Sequence, residues 1–332
     1  MLQNEAATGR FQVLSLDGGG VRGLFSAAVL AAIEEDLRVV LTDHFDLIAG
    51  TSTGGIIALG LGLGMRPREI VDFYLTHAPA IFPNPGRRTL RHWVRAKYPS
   101  EPLIEALRQV LGERLFGEST KRLVIPSYNV GEDDVHCFRT PHHEKLRRDY
   151  RLPAWKVALA TASAPTYFPA CREVERARLI DGGVWANNPA MVALVEAVTT
   201  LQVPITHVSM LSLGTYDAVA KRHRRVDAGG KVAWLRDNAA IDVILRAQSL
   251  GVANHVRLLL GADHVLRIDP KVPPEDVALD NVQGIDELIA RAAHHSRTLM
   301  PTIKARFTSH RAAAYEPLYR LGAEGGRDAA RI

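Results

Sequence analysis

Residues 45–55 read FDLIAGTSTGG: an apolar run, Phe45 to Ala49, meets a glycine–serine–glycine turn, and a second apolar run, Ile56 to Leu63, follows. Gly50-Thr51-Ser52-Thr53-Gly54 is G-x-S-x-G, the pattern of a nucleophile elbow between a strand and a helix. The glycines two before and two after the serine permit a sharp turn without Cβ clashes. Such a turn lifts the Ser52 hydroxyl above the end of a strand and sets it at a helix N-terminus. Spacing alone makes this a candidate, because glycine and serine are common in ordinary turns.

Upstream, Phe11 to Leu16 is another apolar run, and it enters Asp17-Gly18-Gly19-Gly20-Val21-Arg22-Gly23. Gly18, Gly20 and Gly23 spell G-x-G-x-x-G between a strand and a helical pattern, the setting a dinucleotide fingerprint requires. That reading also needs an acidic residue at the end of the second strand to hold a ribose. Here the second strand ends in the serine turn, and Asp46 stands at its beginning. The glycine turn has the chemistry of an oxyanion hole instead: backbone N–H groups of Gly18, Gly19 and Gly20 can converge on a developing negative charge. Arg22 adds a fixed positive charge or anchors the loop. A nucleotide-binding module built on Gly18–Gly23, without catalysis, stays open as an alternative.

A nucleophilic serine needs a base. None of the thirteen histidines lies in a recognisable base motif, and His142-His143 and His294-His295 read as surface residues. Asp181 is better placed. In ARLIDGGVWANNP, residues 177–189, a strand ends at Asp181, Gly182-Gly183 follow, and Asn187-Asn188-Pro189 opens a helix. Taken alone such an aspartate is a turn residue; beside the elbow and the glycine turn it becomes a site candidate.

Strand-like runs at 11–16, 45–49, 122–128, 177–180, 205–213 and 264–268 alternate with helical patterns at 22–37, 54–64, 67–78, 100–111, 154–161 and 188–200. That alternation predicts an α/β fold with a mostly parallel central sheet flanked by helices. No linker divides the 332 residues, so one domain over 1–332 is expected. Its core spans about 10–215, a mostly helical C-terminal part 216–322, and a frayed tail follows. Residues 216–238, polar and basic with Gly229-Gly230, read as a mobile loop or lid.

The chain is 47% hydrophobic and 23% charged, ordinary for a globular protein. MLQNEAATGR lacks the features of a signal peptide, and Gly55–Met65, the longest apolar stretch, is too short to span a bilayer. Cys137 and Cys171 are too few for a disulfide framework or a cysteine zinc site, and a cytoplasmic protein with reduced thiols is expected. Neither a metal nor a cofactor is expected. Lys and Arg number 41 against 36 Asp and Glu, a net charge of +5. The basic residues concentrate at Arg87, Arg88, Arg91, Arg95 and Lys97 and at Lys221, Arg222, Arg224 and Arg225. Such clusters attract phosphate-bearing partners or form a solvated face.

Asp17–Gly23, Gly50–Gly54 and Asp181-Gly182-Gly183, in that order, resemble the patatin-like phospholipases. The resemblance implies a three-layer α/β fold, a Ser–Asp dyad in place of a triad, Ser52 as nucleophile and Asp181 as general base. It assigns the oxyanion hole to the 17–23 loop, with Gly18, Gly19, Gly20, Arg22 and Gly23. Ile125–Asn129, Ala160–Phe168 and Val184–Pro189 are similar to a bacterial branch of that family, the effectors of cyclic-oligonucleotide anti-phage defence (CBASS). That likeness implies a cyclic dinucleotide activator, a phospholipid substrate on the inner face of the cell's own membrane, and a homo-oligomer, with no DNA or RNA partner. A lipase or thioesterase of the same family without nucleotide control remains the alternative.

Overall fold

In a computed structural model of the chain, residues 9–83, 96–215, 217–218, 229, 234, 239–272, 280 and 282–321 are described. The basic residues 87–95 and 221–225 lie outside them, as does nearly all of the expected lid at 216–238. Lys97 is described; its ammonium is half-buried and paired with Asp280.

Strands β1 (Phe11–Leu16), β2 (Leu47–Gly50) and β3 (Arg122–Asn129) alternate with helices α1 (Gly23–Leu37), α2 (Thr53–Gly62), α3 (Pro67–Ile81) and α4 (Glu101–Leu111). Then come β4 (Asp134–Arg139), α5 (Ala154–Ala162), β5 (Leu179–Asp181), α6 (Gly183–Ala186), α7 (Ala190–Val195) and β6 (Val208–Leu213). The C-terminal part adds β7 (Asp217–Ala218), α8 (Ala239–Leu260), β8 (Val265–Ile268), β9 (Lys271–Val272) and α9 (Ile285–Phe307).

The main sheet runs β4-β3-β2-β1-β6-β8, with β5 also paired to β3. β1, β2, β3, β6 and β8 are parallel, while β4 and β5 join β3 antiparallel. β1 therefore lies inside the sheet, and the glycine turn that leaves it is central. Alternation along the strands divides the core into two layers. Leu14, Leu16, Ile48, Ile125, Leu211 and Leu213 pack beneath α1–α5 and α9. Val13, Leu47, Ala49, Val124, Val208 and Met210 face α7 and the last turns of α8. A sheet covered on both faces explains why β1, β2 and β6 are apolar nearly throughout.

Several elements differ from the sequence expectation, among them β4, the start of β6 and the helix expected over 188–200. β4 has no counterpart in that expectation, because an edge strand half exposed to water carries mixed residues such as Asp134, His136 and Arg139. Residues 205–207 form a 3-10 turn, and the strand begins at Val208. The helix expected over 188–200 narrows to α7 and then widens into a π-turn at Glu196–Thr200. The buried Glu196 of that turn bonds the ring of His142, whose side chain is only 1% exposed, so His142 is a core residue and not a surface one.

Candidate active site

Parallel strands bring their C-terminal ends to one edge, where loops are free to carry chemistry. Leu16↔Gly50 pairing puts the Asp17 turn and the Ser52 turn side by side. Ser52 caps α2 with φ 54° and ψ −122°, a left-handed conformation rare outside glycine. Strain of this kind persists only where surroundings enforce it. Here the Ser52 amide donates to Thr161 Oγ1 at 2.9 Å, and the Thr161 hydroxyl donates to the Pro126 carbonyl at 2.6 Å. The turn also needs both of its glycines: a Cβ at Gly50 would lie 2.1 Å from Gly54 O, and one at Gly54 2.2 Å from Leu16 O.

β5 delivers the partner. Ser127↔Asp181 pairing with β3 sets Asp181 at the strand's end, and its amide donates to Ser163 O at 2.9 Å. The Ser52 hydroxyl donates to Asp181 Oδ2 at 2.6 Å, while the Gly183 amide donates to Oδ1 at 2.7 Å. Burial pushes the Asp181 carboxyl up to about 6, against the lowering effect of those two hydrogen bonds. Asp181 is thus a stronger base than an exposed aspartate, and among the described residues no cation pairs with it to hold it ionised.

The glycine turn lies against the serine, and a Cβ at Gly18 would stand 3.2 Å from Ser52 Cβ and 2.5 Å from Asn187 Oδ1. Its amides are not equivalent, which corrects the expectation for this loop. Gly18 N–H donates to Asn187 O at 2.9 Å, Arg22 N–H to Gly19 O at 3.2 Å, and Gly23 N–H to the carbonyls of Gly20 and Val21. The Gly19, Gly20 and Val21 amides, by contrast, make no hydrogen bond to another element among the described residues. Arg22 Nε reaches Gly19 O at 3.3 Å, so its side chain anchors the loop. Asp46, which a nucleotide site would need at the far end of β2, precedes that strand, where it accepts Gln12 N–H at 2.8 Å and meets His310 at 2.7 Å.

Ser52, Asp181 and the turn open onto a cavity of about 520 Å³. Ile56, Phe73, Phe82 and Phe168, with Ile244 and Leu245 of α8, are among the apolar residues that line it. Sequence reading missed Thr161 and Asn187 as supports of the site. Both stand inside stretches that carry the family likeness, but their roles depend on contacts more than a hundred residues away, which no local pattern reveals.

The profile of the Patatin-like phospholipase family matches residues 14–194, which hold all three motifs. A "cGAMP-activated phospholipase" of Pseudomonas aeruginosa is 34% identical over 317 residues, 92% of this chain and 93% of that protein. One of the same description from Vibrio cholerae serotype O1 is 31% identical, over 82% of this chain and 86% of its own length. Among solved structures, VipD from Legionella pneumophila aligns with 89% of this chain and 67% of its own at 12% identity and a TM-score of 0.45. With a family profile matched over more than half of its length and relatives aligned along nearly all of it, the chain belongs to the patatin-like phospholipases.

Proposed function

We propose that the chain hydrolyses acyl esters of phospholipids with a Ser52–Asp181 dyad. The observation that carries this reading is the 2.6 Å hydrogen bond from a strained Ser52 to a desolvated Asp181 at the head of an apolar cavity. Asp181 takes the Ser52 proton as Oγ attacks the ester carbonyl, and the resulting oxyanion is stabilised by the Gly19 and Gly20 amides. The tetrahedral intermediate collapses to an acyl-serine as Asp181 returns the proton to the departing lysophospholipid oxygen. Water, deprotonated by Asp181, then attacks the acyl-serine, and the fatty acid leaves with Ser52 reprotonated. The apolar lining suits an acyl chain, with few polar groups needed to orient the ester.

Activation belongs to the same proposal. The likeness to proteins described as cGAMP-activated phospholipases supports a cyclic dinucleotide activator; we extend this to a defence effector that attacks the inner face of its own membrane as a homo-oligomer. Such a ligand shifts activity only by binding the active state better than the resting one. The test is fatty-acid release from phospholipid vesicles by wild type and Ser52→Ala, with and without a panel of cyclic dinucleotides, alongside short-chain thioesters. Nucleotide-dependent release that Ser52→Ala abolishes is expected. Release that survives Ser52→Ala overturns the nucleophile; equal activity with and without every nucleotide leaves a constitutive lipase; preference for thioesters overturns the substrate class.

A further inference from the structure

The glycine turn is held from outside the region that the family profile matches. Arg267 of β8 stands two strands from β1, level with Ser212 of the intervening β6. Its side chain crosses β6 to reach Asp17, the first residue of the turn. One terminal nitrogen donates to Asp17 Oδ1 at 2.8 Å and to Ser212 Oγ at 2.8 Å. The other donates to Asp17 Oδ2 at 2.6 Å and to Asp269 Oδ2 at 2.8 Å. Asp17 is 3% exposed and Arg267 19%, so the pair is largely removed from water. A bidentate guanidinium fixes both the position and the plane of a carboxylate, which a lysine ammonium does not.

Neighbouring contacts serve the same turn. Gly214 allows the pair to form, since a Cβ there would lie 2.1 Å from Asp269 Oδ1. Thr215 Oγ1 donates to Gly18 O at 3.1 Å, and the Ser249 hydroxyl of α8 accepts from Asn187 Nδ2 at 2.9 Å. Asn187 in turn receives the Gly18 amide. The carboxylate and one carbonyl of the turn are therefore fixed by residues after position 194, while the Gly19 and Gly20 amides are left for chemistry.

We propose that Arg267 is a positioning residue for hydrolysis: by clamping Asp17 it sets the Gly18–Gly20 turn, so that the Gly19 and Gly20 amides meet the oxyanion formed at Ser52. This rests on the dyad reading above. Arg267 touches no reacting atom, and its loss acts on the transition state while ground-state binding in the apolar cavity is retained.

The test uses the full chain with Arg267→Met and Arg267→Lys, a soluble activated ester, and active sites counted by covalent labelling of Ser52 with a fluorophosphonate. Turnover per labelled site should fall roughly tenfold to a hundredfold in Arg267→Met with KM within about twofold, and less in Arg267→Lys. Inhibition by a trifluoromethyl ketone, whose adduct mimics the oxyanion, should weaken by the same factor as kcat/KM. The apparent pKa of the pH–rate profile should stay that of wild type, because Asp181 is untouched. A purely structural role would instead lower the number of labelled sites and leave turnover per site and ketone affinity unchanged, and that outcome overturns the proposal. Should Arg267→Met not fold, wild-type turnover and ketone affinity in folded Arg267→Lys overturn it equally. Absence of Ser52 labelling in the wild type would sink the dyad; labelled Ser52 with unaltered Arg267 variants would sink only the positioning role.

Discussion

Two Asp-Gly-Gly turns meet at one site, and their carboxylates have opposite surroundings. Asp17 directly follows β1 and receives both terminal nitrogens of Arg267. Asp181 ends β5 and receives one hydroxyl and one amide, neither of them charged. A guanidinium keeps a buried carboxylate ionised and still, a fixed part of the framework. Burial without a cation raises the proton affinity and yields a base. Equal sequence at the two turns thus gives a strut in one place and the proposed base in the other, and the difference lies in the partner.

The contrast breaks first at Asp181→Asn. The amide is nearly isosteric but does not accept the serine proton, so kcat should fall by about 10³–10⁴, as measured by fatty-acid release from vesicles. Retention of a tenth of wild-type turnover would mean that another group serves as base.

Stability should separate the two carboxylates in sign. Asp17→Asn leaves a buried guanidinium with one fewer counter-charge and should cost about 3 kcal/mol. Asp181 behaves oppositely, since its carboxyl is raised to about 6 from an ordinary 3.8. The folded protein holds that proton more tightly than the unfolded chain, so ionising Asp181 weakens the fold as pH rises from about 4 to 6. Asp181→Asn should therefore raise the melting temperature at pH 8, by up to about 3 kcal/mol of stability, and change little at pH 4. A thermal melt of both variants at the two pH values decides the matter; parallel losses at pH 8 would erase the distinction.

A smaller effect is the acid limb of the wild-type profile. kcat/KM should fall about tenfold per pH unit below about 6, as Asp181 takes up its proton. A limb set near 4 would place the base in water and not in the buried dyad. The least effect is expected from EDTA, which should leave turnover within about twofold, since in the proposed dyad Asp181 supplies the proton transfer and backbone amides the charge stabilisation. Inhibition reversed by adding back one metal ion would contradict that.

Much of this was legible in the chain itself. Strand–turn–helix punctuation at Ser52 and at Gly18–Gly23 is local: glycine spacing and the change from period-two to helical patterning are written into consecutive residues, and they pointed to the fold class and to Ser52 as the candidate nucleophile. Asp181 became a candidate through its glycines beside the elbow and the glycine turn, and its role as base came from the family resemblance. β4 escaped because an edge strand has one neighbour and half its surface in water, so its pattern is mixed. What only the tertiary structure decided is which partner each polar group obtained. Asn187 engages the Gly18 amide, Thr161 takes that of Ser52, and Arg267, 250 residues along, takes Asp17. Hydrogen bonds and ion pairs act over about 3 Å, and sequence separation carries no information about which groups folding brings within that distance. Two identical Asp-Gly-Gly strings therefore acquire their different surroundings only where the sheet places an arginine beside one and a serine beside the other.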